Sequence, residues 1–111
     1  MLEKPLTWVG SSLEAVRRFP AEARRAAGYE LRRVQHGLMP SDWKPMRTVG
    51  AGVMEIRVHT ALEHRVFYVA KFEEAVYVLH AFEKRTRQTA QSDVELASKR
   101  LAAVLQTRRG R

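Results

Sequence analysis

The residues best suited to chemistry in this sequence are basic side chains in its most strand-like stretch, from Val53 to Arg85. Guanidinium and ammonium groups bind phosphate and can stabilise the negative charge that develops during phosphoryl transfer. Aromatic residues alternate with them, a pattern typical of surfaces that bind single-stranded nucleic acid. The basic residues of the stretch are Arg57, Arg65, Lys71, Lys84 and Arg85.

Histidines are the second group that could carry chemistry, because imidazole titrates near neutral pH and can serve as an acid or a base. Two of the four are predicted at a helix end and in a turn, which are His36 and His64. His59 and His80 lie on predicted strands among the basic residues. These two are candidates for proton transfer, although a structural role is the commoner one for a strand histidine.

Three strands must position these side chains, and their dense Val, Ile, Phe, Tyr and Leu content predicts them. They are Val53–His59, His64–Lys71 and Val76–Phe82. The connections between them are too short for a crossover helix, so we expect an antiparallel meander.

Side chains alternate between the two faces of a strand, which predicts where the charged residues point. One face should be mainly apolar and suit the helices, with Met54, Ile56 and Val58 of the first strand. The other should hold Arg57, Arg65, His80 and Lys84 among aromatic rings. On the third strand this alternation puts Leu79 opposite His80. A solvated face with scattered charges is the alternative.

Helices are predicted on both sides of the meander in the chain. A short strand, Leu6–Val9, is followed by a helix opened by a capping box at Ser11 and Glu14. A second helix runs from about Ala21 to His36, with Pro20 as its first residue and Gly37 after its end. Gly28 within it is expected to permit close packing.

A loop is predicted before the meander, and a helix and a tail are predicted after it. Leu38–Thr48 is expected to be a loop because it holds two prolines. A last helix follows a second capping box at Ser92 and Glu95, and residues 106–111 form a basic, frayed tail. We predict a single α+β domain over residues 1–111, with an antiparallel sheet of the meander and the short N-terminal strand, covered on one face by the helices.

Composition narrows the classes of function. The 111 residues are 45% hydrophobic with a net charge of +8, which indicates a globular domain with an anionic partner. No apolar run is long enough for a membrane span, and the N-terminus does not resemble a signal peptide. The absence of cysteine excludes disulfides and suits the cytoplasm. No phosphate-loop, dinucleotide-binding or metal-binding motif is present, so we expect neither cofactor nor metal.

Several motifs in order along the chain resemble the RelE/ParE superfamily of toxins from type II toxin–antitoxin modules, closest to the phage-derived, HigB-like branch. The sequence is similar to that branch from about Trp8 to Leu105. The motifs are Phe19-Pro20, Val34-Gln35-His36-Gly37, Trp43-Lys44-Pro45-Met46, Gly52-Val53-Met54-Glu55-Ile56-Arg57, His64-Arg65-Val66-Phe67-Tyr68-Val69, Val78 to Thr86, and Asp93-x-Glu95-x-Ala97-x-x-Arg100.

This resemblance implies a RelE-like fold and a metal-independent endoribonuclease that cleaves mRNA on the ribosome. It implies that Arg57 and Arg65 clamp the scissile phosphate, and that Lys84 or Arg85 stabilises charge or acts as the acid. The general base stays open among Glu55, His59 and His80. The predicted catalytic residues are Arg57, Arg65, Lys84, Arg85 and His80. The predicted RNA-binding residues are Trp43, Lys44, Arg47, Phe67, Lys71 and Phe82.

One feature departs from the best-known members of the superfamily, which carry a base-stacking tyrosine near the C-terminus. The last helix here has no aromatic residue, so stacking would fall to Phe82, Phe67 or Trp43. Two alternatives remain, a ParE-like toxin that inhibits gyrase and a non-catalytic RNA-binding domain.

The resemblance also implies partners. They are mRNA and the ribosome, and an antitoxin with a helix-turn-helix domain, through which alone the protein would meet DNA. An acidic antitoxin segment could pair with arginines of the second helix or cover the active face.

Overall fold

The computed structural model describes residues 3–110, which form three helices and a five-stranded mixed sheet. The strands are β1 (Leu6–Trp8), β2 (Trp43–Pro45), β3 (Val53–His59), β4 (Glu63–Val69) and β5 (Val76–Glu83). The helices are α1 (Ser12–Arg17), α2 (Ala21–Gln35) and α3 (Gln91–Arg109). None of the described helices is both long and apolar enough to cross a membrane.

The sheet has the order β1-β5-β4-β3-β2. The three long strands form the predicted antiparallel meander. The prediction of a purely antiparallel sheet is wrong at β1, which lies parallel to β5 with Leu6 opposite Val76. The chain leaves β1 through α1 and α2 and crosses to the far edge of the sheet before it returns through the meander. Each antiparallel step from β2 to β5 reverses the chain direction, and after these reversals β5 runs parallel to β1.

The helices cover both faces of the sheet, so the prediction that they share one face is also wrong. Helices α1 and α2 pack on the face of Ile56, Val66 and Val78, where α2 contributes Ala23, Ala27, Leu31 and Val34. Helix α3 packs on the opposite face through Ala97, Leu101 and Val104. It covers only the half of that face that holds Val53, Val69 and Tyr77, and this leaves the other half open.

Strand β2 lies in the segment predicted as a loop. Of the two prolines in that segment, Pro45 lies in β2 and would disrupt an inner strand, but β2 is an edge strand that pairs only with β3. An edge position tolerates Pro45 because one side of the strand needs no donor. Lys44 thereby comes directly opposite Glu55.

Both predicted capping boxes are unused as caps. The side chain of Ser11 does not cap α1 but instead accepts a hydrogen bond from Arg100 Nη2 at 2.9 Å. Helix α3 begins one residue before Ser92, after Ala90, without a side-chain cap. Pro20 precedes α2 as its N-cap rather than opening it, whereas Gly37 has φ 81° and ends the helix as predicted.

The C-terminal segment predicted to fray is helical to Arg109. Arg108 Nε and Nη2 donate to the Glu74 carboxylate at 2.6 and 3.1 Å, and its guanidinium lies 3.8 Å from the centroid of the Phe72 ring. Arg108, with a hydrogen bond from the Tyr77 hydroxyl, lowers the pKa of Glu74 to about 2. These contacts fasten the end of α3 to the turn between β4 and β5. Arg111 lies outside the described residues.

Substitution of Gly28 should stabilise the protein. Gly28 is exposed within α2, and a Cβ there would have no heavy atom within 4 Å, so the expected packing role is wrong. We expect Gly28→Ala to raise the free energy of unfolding by about 0.8–1 kcal/mol through helix propensity alone. Urea unfolding followed by circular dichroism measures it.

Gly52 provides the matched control. Its φ is 82°, and a Cβ would lie 2.7 Å from Lys71 Cδ. Gly52→Ala should therefore destabilise by about 1–2 kcal/mol, the cost of an L-residue in this conformation. A loss of stability in Gly28→Ala would contradict our account of that position.

Candidate active site

The open half of the α3-covered face is crossed by two rows of residues from β3, β4 and β5. Arg57, Arg65 and Phe82 are cross-strand neighbours in one row, and Glu55, Phe67 and His80 form the next. Two arginines directly opposite each other would repel. The row beneath supplies the carboxylate that offsets this repulsion.

Glu55 lies between the two arginines and is only 2% exposed. Its Oε1 is 3.3 Å from Arg57 Nε and 3.7 Å from Arg65 Nε. The Arg65 side chain is 5% exposed, whereas that of Arg57 is 31% exposed. Both arginines come together as predicted, but Arg57 is the one that reaches solvent.

Arg65 is held on its outer side as well. Its Nη1 donates to Glu63 Oε1 and to the His64 carbonyl, both at 3.0 Å. With Glu55 on its inner side, the guanidinium is fixed between two acids. This arrangement suits a residue that positions others, and it explains why Arg65 is buried although it is charged.

His59 extends the same chain of charges to the edge of the sheet. Its Nδ1 lies 2.7 Å from Glu63 Oε1, and its Nε2 contacts the Asp42 carboxylate. Hydrogen bonds to Asp42 and then to Glu63 raise the pKa of His59, and the bond from His59 lowers the pKa of Glu63. Both ring nitrogens of His59 therefore contact carboxylates, and a substrate group would have to displace one of these contacts to reach the ring.

His80 is positioned by a β-bulge that the sequence did not predict. Phe67 pairs with His80 but Tyr68 pairs with Val78, so Leu79 is the extra residue of β5. Leu79 therefore lies on the same face as His80, in the core under α3, and its predicted position on the opposite face is wrong. A bulge breaks the strict alternation on which that prediction depended.

The ring of His80 is held on two sides. Its Nε2 lies 2.7 Å from Asp93 Oδ1 at the start of α3, and the ring stacks on Phe82 with centroids 5.1 Å apart. Its Nδ1 is buried without a hydrogen-bond partner. Asp93 therefore accepts the Nε2 proton and fixes the tautomer. Asp93 also lines a small cleft with Phe82 and Lys84.

Lys84 lies just past β5 and is partly buried between that small cleft and a larger one. Its backbone N–H donates to the Glu63 carbonyl at 2.8 Å, which fixes the segment. Arg85 is 78% exposed, and its Nε lies 3.3 Å from Glu83. Both predicted cations line the small cleft, but of the two Lys84 is the less exposed and also lines the larger cleft.

The predicted aromatic residues separate into different surroundings. Phe82 is partly exposed and packs edge-on against Phe67 at 5.1 Å. Phe67 itself is fully buried, so it supports Phe82 but cannot stack on a base. Trp43 pairs with Ile56 and so lies on the α2 side of the sheet, away from Arg57.

The remaining predicted RNA-binding residues, which are all basic, also lie in different parts of the fold. Lys44 lies in the row of Glu55, and Arg47 lines a shallow groove with it. Lys71 follows the far end of β4, where its Nζ lies 5.3 Å from the centroid of the Phe72 ring. Lys71 is therefore distant from the two arginines.

His36 lies at the end of α2 as predicted, whereas the prediction of His64 in a turn is wrong, because His64 lies within β4. His64 is 1% exposed and packs against Phe19 with centroids 4.3 Å apart, and burial lowers its pKa. His36 Nε2 lies 3.7 Å from Glu3 at the end of α2.

Arg100 supports the site from α3, and sequence reasoning did not assign it a role there. Its Nη1 donates to the carbonyl of Leu79 at 2.9 Å, which satisfies the bulge. Burial lowers the pKa of Arg100. Gly10, with φ 57°, makes room for the guanidinium, since a Cβ there would lie 2.6 Å from Arg100 Nε. No local sequence pattern could have identified the contacts of Arg100 with Leu79 and Gly10, because both residues are far from Arg100 in the chain.

Comparison with models of known protein families gives a match. The family described as "Phage derived protein Gp49-like (DUF891)" matches residues 14–102, a span that contains both rows and most of α3. No curated protein matches the chain.

Proposed function

The chain belongs to the Gp49-like family of phage-derived proteins, and from this premise we propose that it is a RelE/HigB-type toxin that cleaves mRNA on the ribosome. The observation that carries the proposal is the cluster on the open half of the sheet. There Arg57 and Lys84 face solvent beside Phe82, above a buried Glu55–Arg65 pair.

RNA cleavage without a cofactor requires the 2′-hydroxyl to attack the adjacent phosphorus while the 5′ oxygen leaves. The phosphorane that forms gains negative charge, which fixed cations stabilise. Arg57 and Lys84 would contact this phosphate. Arg65, held by Glu55 and Glu63, would keep Arg57 in place rather than touch the substrate.

Proton transfer would fall to His80 through Nε2, which would exchange Asp93 for the substrate, because Nδ1 is buried. Glu55 is buried between two arginines, and both nitrogens of His59 are held by carboxylates. The His80–Asp93 pair lies next to the cleft of Lys84 and next to Phe82, on which a base could stack.

The partners follow from this proposal. The protein would act in the cytoplasm on ribosome-bound mRNA. An antitoxin with a helix-turn-helix domain would inhibit it and would provide its only link to DNA.

Induced expression in a bacterium, with mapping of transcript 5′ ends, tests the function. We expect growth arrest and new cuts inside translated messages for the wild type, and loss of both for Arg57→Gln. Arg57 is the better choice for this test than the buried Arg65, because loss of Arg65 would leave Glu55 without one of its two partners and destabilise the protein. Arg25→Gln, an exposed position on α2, removes the same charge and should behave as the wild type.

Three outcomes would contradict the proposal. Arrest without cuts, together with loss of gyrase supercoiling activity, would indicate a ParE-like toxin. RNA binding without cuts or arrest would indicate a non-catalytic binding domain. Equal loss of activity in both variants would show that the effect comes from net charge.

A further inference from the structure

A second cationic cleft lies beside the candidate active site, and part of its lining comes from the connector between β5 and α3. It has a volume of about 300 Å³ and is lined by Lys44, Lys84 and Arg87 together with the polar side chains of Gln88, Thr89 and Gln91. No aspartate or glutamate is among the residues that line it. We propose that this cleft binds the backbone phosphate of the nucleotide next to the scissile one.

The inference rests on the proposed function and extends it to Arg87, a residue that the sequence did not single out. The sequence predicted no role for Arg87. The connector between β5 and α3, in which Arg87 lies, is polar and carries no recognised motif. The fold brings it to Lys44, which is more than forty positions earlier in the chain, because β2 is the edge strand nearest the start of α3.

The cleft is continuous with the active site through two residues. Lys84 lines it and also the smaller cleft of Phe82 and Asp93. Lys44 is directly opposite Glu55, so it is the diagonal neighbour of Arg57, at a distance of about 7–8 Å in a regular sheet. A nucleic acid strand whose phosphate meets Arg57 therefore has a second cationic position within one nucleotide step.

The donor chemistry favours phosphate as the ligand. Lys and Arg side chains are donors only, and the neighbouring amides and hydroxyl can complete a shell around a phosphate oxygen. Met46 and Val94 are the apolar residues of the lining, and the other residues that line the cleft are polar or cationic. An extended single strand of RNA, with regularly spaced phosphates, fits this surface better than a protein segment does.

Binding of a fluorescein-labelled, 2′-O-methylated 12-nucleotide RNA, measured by anisotropy over a salt series, tests the inference. This probe cannot be cleaved, so the measurement is independent of catalysis. Each lost phosphate contact should reduce the slope of log K against log [salt] by about 0.7. We expect this reduction for Arg87→Gln and no change for Arg25→Gln, which removes an equal charge from the other face.

The outcomes distinguish this inference from the proposed function. A shallower slope in Arg87→Gln supports the phosphate cleft even if the protein cuts no message. Equal slopes in Arg87→Gln and the wild type would overturn it, and so would equal reductions in both variants. A 12-residue polyglutamate peptide that displaces the RNA from the wild type, but not from Arg87→Gln, would overturn phosphate in favour of an acidic protein ligand.

Discussion

Replacing Glu55 by leucine is expected to lower the free energy of unfolding by about 3 kcal/mol, although leucine has a similar volume and suits a strand interior. The change removes the carboxylate that lies between Arg57 and Arg65. Breaking a buried ion pair by removing one partner costs about 3–5 kcal/mol. We expect the lower end of this range because Arg65 keeps Glu63 and Arg57 can turn to solvent.

Removal of both buried partners should cost less than the sum of the two single changes. In Glu55→Leu/Arg65→Met no unpaired charge is left in the interior, and an apolar pair of similar size can be nearly neutral. Urea unfolding of the wild type, both single variants and the double variant forms the required cycle. Additive losses would show that Glu55 and Arg65 are not coupled.

The two rows of the candidate site follow from the alternation of apolar and charged residues along β3 and β4. This alternation is visible in the sequence. Both strands have uninterrupted apolar residues on one face, so a shift by one residue would bury Arg57 or expose Ile56. The two strands are joined by a tight turn, which fixes their register. For this reason Glu55, Arg57 and Arg65 could be placed on one face before the structure was known.

The position of Leu79 could not be predicted in the same way. The Leu79 carbonyl at the bulge accepts a hydrogen bond from Arg100, which lies on another element. Local alternation carries no information about a partner on the last helix. The same holds for Asp93, which lies inside the predicted capping box of Ser92 and Glu95 but whose carboxylate contacts His80.

The sequence also did not indicate which face of the sheet each helix covers. The face of Val53, Val69 and Tyr77 is apolar at one end and charged at the other. Its average character suggested a solvated surface, but the apolar end requires α3 as a cover. The site is therefore one half of a face, bounded by the first turn of α3, rather than the whole face.

Lys84→Gln is expected to reduce the rate of mRNA cleavage on programmed ribosomes by about 10²–10³-fold, the usual cost of losing one preorganised group that stabilises a transition state. The proposed function places this ammonium at the phosphate. Its backbone is held by the Glu63 carbonyl, so glutamine should keep the segment in place and remove only the charge. Single-turnover cleavage with ribosomes in excess gives the rate directly.

Lys99→Gln is the matched control, because Lys99 is exposed on α3 and lines neither cleft. It should cleave at the wild-type rate, and Lys84→Arg should recover part of the loss because it restores the charge. Equal unfolding midpoints for all three variants would exclude misfolding as the cause. A rate for Lys84→Gln within about threefold of the wild type would remove Lys84 from the reaction, since so small a change is less than 1 kcal/mol of the barrier. Stabilisation of the phosphorane would then rest on Arg57, the other solvent-facing cation of the cluster.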